Sequence, residues 1–171
     1  MNKKHPVLGI YITEEPSLTA NLYGIDPKLA KQFEPLRKKI YNPENKKILD
    51  ELILLIEKYP DAPMLKNYLS VAYSKRGMNE KAYEVNNLLV AQHPGYLFGK
   101  LNLANQCADD EKYELIPEIL GEDMDIKSLF PDRDTFHVGE VTAFLKIQVR
   151  YYIGIDDLEN AEKKLALMKE I

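Results

Sequence analysis

A shift of 34 residues lays Pro60 on Pro94, Leu69 on Leu103, Ser70 on Ala104, Tyr73 on Cys107 and Ala82 on Ile116. Shifted the other way, Ala82 falls on Ile48 and Leu89 on Leu55. Small or apolar residues meet small or apolar residues at every step. A period of this length restricts the chain to a stack of similar units, each burying its apolar face against the next. The unit is legible in LSVAYSKRGMNEKAYE, residues 69–84. Leu65, Leu69, Ala72 and Tyr73 follow helical spacing, and so do Ala82, Val85, Leu89 and Gln92. Gly77 falls between them, where a helix-closing residue turns left-handed and glycine does so without a Cβ penalty. Asn79 reads as the N-cap of the second helix. The segment is an αα-hairpin, with the small Ala82 letting the Tyr73 ring pack closely in a core.

Other helices flank it. Asp26-Pro27 is a start signal, followed by Leu29, Phe33, Leu36 and Ile40, with Pro35 predicting a kink or two short helices. Asn42-Pro43 repeats the signal before a stripe of Ile48, Leu52, Leu55 and Tyr59, which Leu49, Ile53 and Ile56 widen until Pro60. A last hairpin runs through Val141, Phe144, Leu145 and Tyr152, turns at Gly154, and returns through Leu158, Ala161, Leu165 and Met168. Residues 1–25 show no helical period. Val7, Leu8, Ile10, Tyr11 and Ile12 suggest a short extended segment there, because Gly9 and Glu14-Glu15 break the run as a signal peptide.

In the middle of the chain Leu69, Ser70, Tyr73, Ala82 and Pro94, with Gly77 in the turn, stand at the offsets of the tetratricopeptide repeat, and the chain resembles that family. Lys66 stands where the family has an aromatic and Asn86 where it has phenylalanine. Residues 97–121 resemble a second, degraded repeat through Leu103, Ala104, Tyr113, Ile116 and Leu120, its second helix shortened by Pro117. The resemblance implies an all-α fold, an α-α superhelix of antiparallel hairpins over 43–171. Residues 1–42 form an N-terminal extension, irregular and then short helices, and an insertion at about 121–136 is foreign to the pattern. It also implies a concave groove lined by the first helix of each repeat. Its offsets fall on Met64, Asn67, Val71 and Ser74, then on Phe98, Leu101, Asn105 and Ala108, with Asn102 beside them and Gln148 from the last hairpin. Val71 replaces an asparagine of the family's carboxylate-binding groove, and the matching lysines are absent.

Little else points to chemistry. Net charge is −4, and the basic runs Arg37-Lys38-Lys39, Lys46-Lys47 and Lys163-Lys164 read as solvated helix faces, so no nucleic acid is expected. His5, His93 and His137 have no partner at metal-ligand spacing, and His93 is expected to set partial positive charge at a helix C-terminus. Cys107, the single cysteine, sits on an apolar stripe and reads as a buried thiol, compatible with a reducing compartment and a cytoplasmic location. The acidic clusters Asp109-Asp110-Glu111 and Glu122, Asp123, Asp125 lack calcium-loop spacing and read as turn and cap residues. No phosphate-binding or hydrolase motif is present, and no apolar run approaches a membrane span. The expectation is therefore a non-enzymatic module without metal or cofactor, binding a protein or peptide in the groove. The asparagines would meet its backbone, or are simply solvated. The alternative is an assembly protein that packs against its own copies, because the sequence ends at Ile171 straight after an apolar helix.

Overall fold

A computed structural model describes residues 3–15 and 23–171. Contacts divide the chain into two compact units, one of Pro16–Gly99 and one of Met1–Glu15 with Lys100–Ile171. Nine α-helices occur among the described residues and 65% of the structure is helix, far above the roughly one-third of average globular proteins. The protein is mostly helical. A small three-stranded sheet is an addition that the all-α expectation lacked.

In the unit 16–99, α1 (Pro27–Ile40) opens at Asp26, whose carboxylate accepts the Lys28 N–H at 2.7 Å. Of the kink or two short helices expected at Pro35, the two short helices do not form, and α1 runs through Pro35 as one helix. Phe33, Leu36 and Ile40 supply its buried stripe. Pro35 and Lys31, whose carbonyl loses its donor, are both exposed, so water can satisfy that carbonyl. α2 (Lys47–Lys58) begins later than Asn42-Pro43 suggested. The Asn42 side chain accepts from the Glu44 N–H at 3.0 Å and closes a turn instead of a helix. Ile48 and Leu52 are buried in the core, but Ile53 is exposed. α3 (Pro63–Ser74) and α4 (Asn79–Gln92) form the expected hairpin, and α2 packs on α3. Met78, not Asn79, is the N-cap residue of α4, with no side-chain hydrogen bond. α5 (Leu97–Asp109) starts in this unit and continues into the other. The core joins Phe33, Leu36, Ile40, Ile48, Leu52 and Leu65 to Leu69, Ala72, Leu89 and Tyr96.

Polar residues at two positions where the family has aromatics are also buried. Lys66 is 4% exposed and donates from Nζ to the Pro60 carbonyl. Asn86, 2% exposed, donates from Nδ2 to the Gly99 carbonyl at 3.4 Å. Arg76 binds four carbonyls: Ile40 at 3.2 Å, Ala72 at 2.7 Å, Asn42 at 2.6 Å and Asn45 at 2.8 Å. It ties the end of α1 and the link to α2 onto the end of α3, where a cation also suits the helix dipole.

The backbone itself repeats at the sequence period. At the end of α2 the Tyr59 N–H donates to Leu55, Ala62 to Tyr59 and Leu65 to Ala62; at the end of α4 His93 donates to Leu89, Tyr96 to His93 and Gly99 to Tyr96. Tyr59 and His93 adopt nearly the same conformation, φ −131°, ψ 67° and φ −133°, ψ 66°. After α3 the Met78 N–H reaches back to Tyr73, with Gly77 at φ +70°; after α5 Lys112 reaches back to Cys107, with Glu111 at φ +60°. These are Schellman turns.

In the unit of 1–15 and 100–171, a short helical segment follows that turn, 3₁₀ over Tyr113–Leu115 and then α6 (Ile116–Leu120), as Pro117 predicted. The insertion forms α7 (Ile126–Leu129) and the strand β3 (Thr135–His137). β3 pairs parallel with β2 (Tyr11–Thr13), and β2 pairs antiparallel with β1 (Lys3–Lys4). The N-terminal segment and the insertion, both outside the repeat pattern, are thus partners of each other, with Ile10 and Phe136 fully buried. Of the irregular stretch expected over 1–25, residues 1–2 and 16–22 lie outside the described ones.

β3 leads into α8 (Val138–Gly154) through a capping box: His137 Nδ1 accepts the Gly139 N–H, and the Glu140 carboxylate accepts the His137 N–H, both at 3.0 Å. Arg133 grips the buried Glu140 with both terminal nitrogens, at 3.2 and 2.8 Å, over the Phe136 ring. α8 and α9 (Leu158–Met168) form the last hairpin. Its left-handed residue is Asp156, at φ +61°, with the Asp157 N–H donating to Tyr152. Gly154 is not the turn residue. It lies in the last turn of α8, where a Cβ would strike the Tyr113 ring well inside van der Waals contact.

Candidate interaction surface

Eight of the ten residues of the expected groove divide between the units as follows. Asn67, Val71, Ser74 and Phe98 belong to 16–99; Leu101, Asn102, Asn105 and Gln148 belong to the other unit. On α3, Asn67, Val71 and Ser74 share one face by their spacing, and Tyr68 and Lys75 border it. Ser74 is exposed and Asn67 half-buried; Val71 and Phe98 rest partly on the core. The other four differ. Leu101 is 2% exposed and Gln148 1%, and Gln148 donates to the Met124 carbonyl, so neither side chain is presented to solvent. Asn105 is held between its own helix and α8. Its Nδ2 donates to the Leu101 carbonyl at 2.9 Å, and its Oδ1 accepts from Arg150 at 2.8 Å. Arg150 also bonds Asp109 at 2.7 Å. Asn102 is half-buried. Of the other offsets, Met64 and Ala108 are buried.

The surface of 16–99 is different in kind. Tyr41, just after α1, is 55% exposed, and the Lys75 ammonium lies 5.8 Å from its ring centre. Burial pushes the Tyr68 phenol up, opposed by the nearby Arg37 guanidinium and reinforced by Glu34 and Tyr41. The C-terminal end of α1 and this face of α3 therefore meet as one surface. Sequence reasoning assigned Arg37 and Lys38 to a solvated run and passed over Tyr41. The cue was the placement of Tyr68 and Lys75 beside the expected groove offsets.

The chemistry-bearing residues elsewhere are accounted for by structure. Burial and the Lys66 ammonium push the His93 imidazole down, against Asp61 and the Pro60 carbonyl, which works against the helix-end charge expected of it. Lys66 is itself held down by burial, with Asp61 pulling the other way. Cys107 is buried, and burial raises its thiol. Asp125 caps α7 through the Lys127 and Ser128 N–H groups, both at 2.8 Å, and Asp110 pairs with Lys112 at 3.2 Å. Among the described residues no three His, Cys, Asp or Glu side chains are grouped to hold a metal. A cavity of about 20 Å³ beside Met124, Phe144 and Gln148 has room for a water and nothing larger. No helix among the described residues is long and apolar enough to cross a membrane.

Set against models of known protein families, curated proteins and solved structures, the chain matches none.

Proposed function

We propose that this protein is a non-enzymatic interaction module of tetratricopeptide-repeat type, a solenoid that binds a peptide or a partner protein on the first-helix faces of its hairpins. The observation that carries the reading is the return of the same backbone turns after 34 residues, at Leu55–Leu65 and Leu89–Gly99 and at Tyr73–Met78 and Cys107–Lys112. Repetition of hydrogen bonds at the period of the side-chain pattern supports a stack of equivalent hairpins. The half of the groove on α3 is open to solvent at Ser74. The buried thiol of Cys107 suits a reducing compartment, and we assign the protein to the cytoplasm.

Photo-crosslinking tests the reading. A crosslinker at Val71 or Ser74 should trap a discrete partner, and one at Leu54, which is 65% exposed on α2, should not trap it. Trapping from Leu54 alone would overturn the concave-face assignment. A second reading, self-association through the last hairpin, is favoured by Ile153, Ile155, Leu158 and Leu165, exposed by 56, 45, 58 and 46%. Light scattering separates the two, since only self-association requires a mass above that of one chain.

A further inference from the structure

The chain's net charge of −4 conceals an asymmetry. Pro16–Gly99 carries twelve lysines and arginines against nine acids, and the remainder carries eleven against eighteen. The excess is concentrated: residues 28–47 hold seven cations, all exposed, against Glu34 and Glu44. Lys39 is neutralised by Glu51 at 3.0 Å, whereas Arg37, Lys38 and Lys75 form no ion pair among the described residues. Like charges held together on a folded surface repel, so this arrangement costs stability unless a partner relieves it.

We infer that the surface formed by Arg37 and Tyr41 at the end of α1, with Lys38 bordering it, and by Tyr68 and Lys75 on α3 docks an acidic peptide segment of a partner protein. The inference deepens the reading above by naming the partner's chemistry. Arg37, Lys38 and Lys75 supply donors for side-chain carboxylates at separate points, which suits acids spread along an extended segment. Tyr41 offers apolar area and a hydroxyl at modest entropic cost. The Tyr68 phenol, whose ionisation burial further disfavours, can donate to a carboxylate. Val71 and Ser74, next on the same face of α3, extend the track with uncharged contact. A nucleic acid would also meet cations and aromatics, but Glu34 beside Tyr68 opposes a continuous phosphate backbone more than a peptide that can place neutral residues there.

The test uses the full chain and three labelled probes: a glutamate-rich peptide, an uncharged peptide of the same length and single-stranded oligothymidine, followed by fluorescence anisotropy. The glutamate-rich peptide should bind best and weaken as salt rises from about 50 to about 500 mM, where surface charges are screened. The triple variant Arg37→Glu, Lys38→Glu, Lys75→Glu should lose about tenfold or more in affinity with an unchanged circular dichroism spectrum. Arg37→Lys should retain binding, and Lys169→Glu, in the other unit, should leave it untouched. Equal binding of the uncharged peptide, unaffected by the triple variant, would overturn the inference and leave the interaction-module reading standing. Preference for oligothymidine would overturn it in favour of nucleic acid. Failure of all three probes, with partners still crosslinked from Ser74, would also remove the acidic-segment assignment without touching the module.

Discussion

The hairpins α3–α4 and α8–α9 make the same backbone turn with opposite choices of residue. Each has a left-handed residue, then an N–H reaching back into the first helix: Gly77 and Met78 in one, Asp156 and Asp157 in the other. Glycine relieves the backbone in the first, but Met78 offers α4 no side-chain cap. Asp156 bears the Cβ penalty in the second, while Asp157 caps α9 through Asn160, which holds its carboxyl below the usual range. A turn can thus be stabilised at its left-handed residue or at its cap, and the chain uses one device in each place. The glycine of the second hairpin, Gly154, serves packing instead, against Tyr113. The two hairpins also differ in how an arginine ties them down. Arg76 binds neutral carbonyls, and Arg133 binds a buried carboxylate.

That last contrast predicts the largest effects. Glu140→Ala should cost about 3–5 kcal/mol, because it leaves Arg133 charged and poorly solvated. Arg76→Ala should cost about 2–3 kcal/mol, since charge-assisted bonds are lost but the link 41–46 can rehydrate. Urea unfolding of both variants orders them; a larger loss at Arg76 would reverse the comparison. Next comes Gly154→Ala, expected to cost about 1–3 kcal/mol by overpacking against Tyr113. In a Tyr113→Ala background the same change should become stabilising, because alanine is the better helix former by about 1 kcal/mol. A cost that persists without the ring would refute the packing role. Gly77→Val should cost about 1–2 kcal/mol through backbone alone, as nothing lies within 4 Å of its would-be Cβ. An unchanged midpoint would show that the turn adopts another conformation.

What could be read in advance was whatever depends on neighbours along the chain. Helical spacing located α1 to α4 and the last hairpin, and Gly77 marked the turn between α3 and α4 because glycine enters that conformation without a Cβ penalty. The turn at Asp156 was assigned to Gly154, two residues early, because a glycine needed for a ring 41 positions away looks the same in sequence as one needed for φ. Pairing of β2 with β3 joins segments more than a hundred residues apart, and strands of three residues carry too little alternation to announce a partner. The candidate surface was half legible. The face of α3 followed from its offsets, whereas Tyr41 and Arg37 join it through tertiary packing. Gln148 and Leu101 were assigned to a groove and are buried, since a helical stripe does not declare which side it covers.

The smallest effect tests the comparison most directly. Asp156→Gly gives the second hairpin the device of the first while keeping its cap. Aspartate at φ +61° bears a steric cost that glycine lacks, and glycine loses more freedom on folding, so the two terms partly cancel. The net gain should be about 0.5–1 kcal/mol. Removing an acid from a unit with eighteen acids against eleven cations acts in the same direction. Asp156→Asn separates the terms, since it removes the charge but keeps a Cβ in the left-handed region. Thermal unfolding should then rank glycine above asparagine and asparagine above aspartate. If asparagine equals glycine, charge rather than conformation limits this turn. If neither exceeds the wild type, the left-handed aspartate is already relieved by its surroundings, and the two hairpins do not differ in backbone strain.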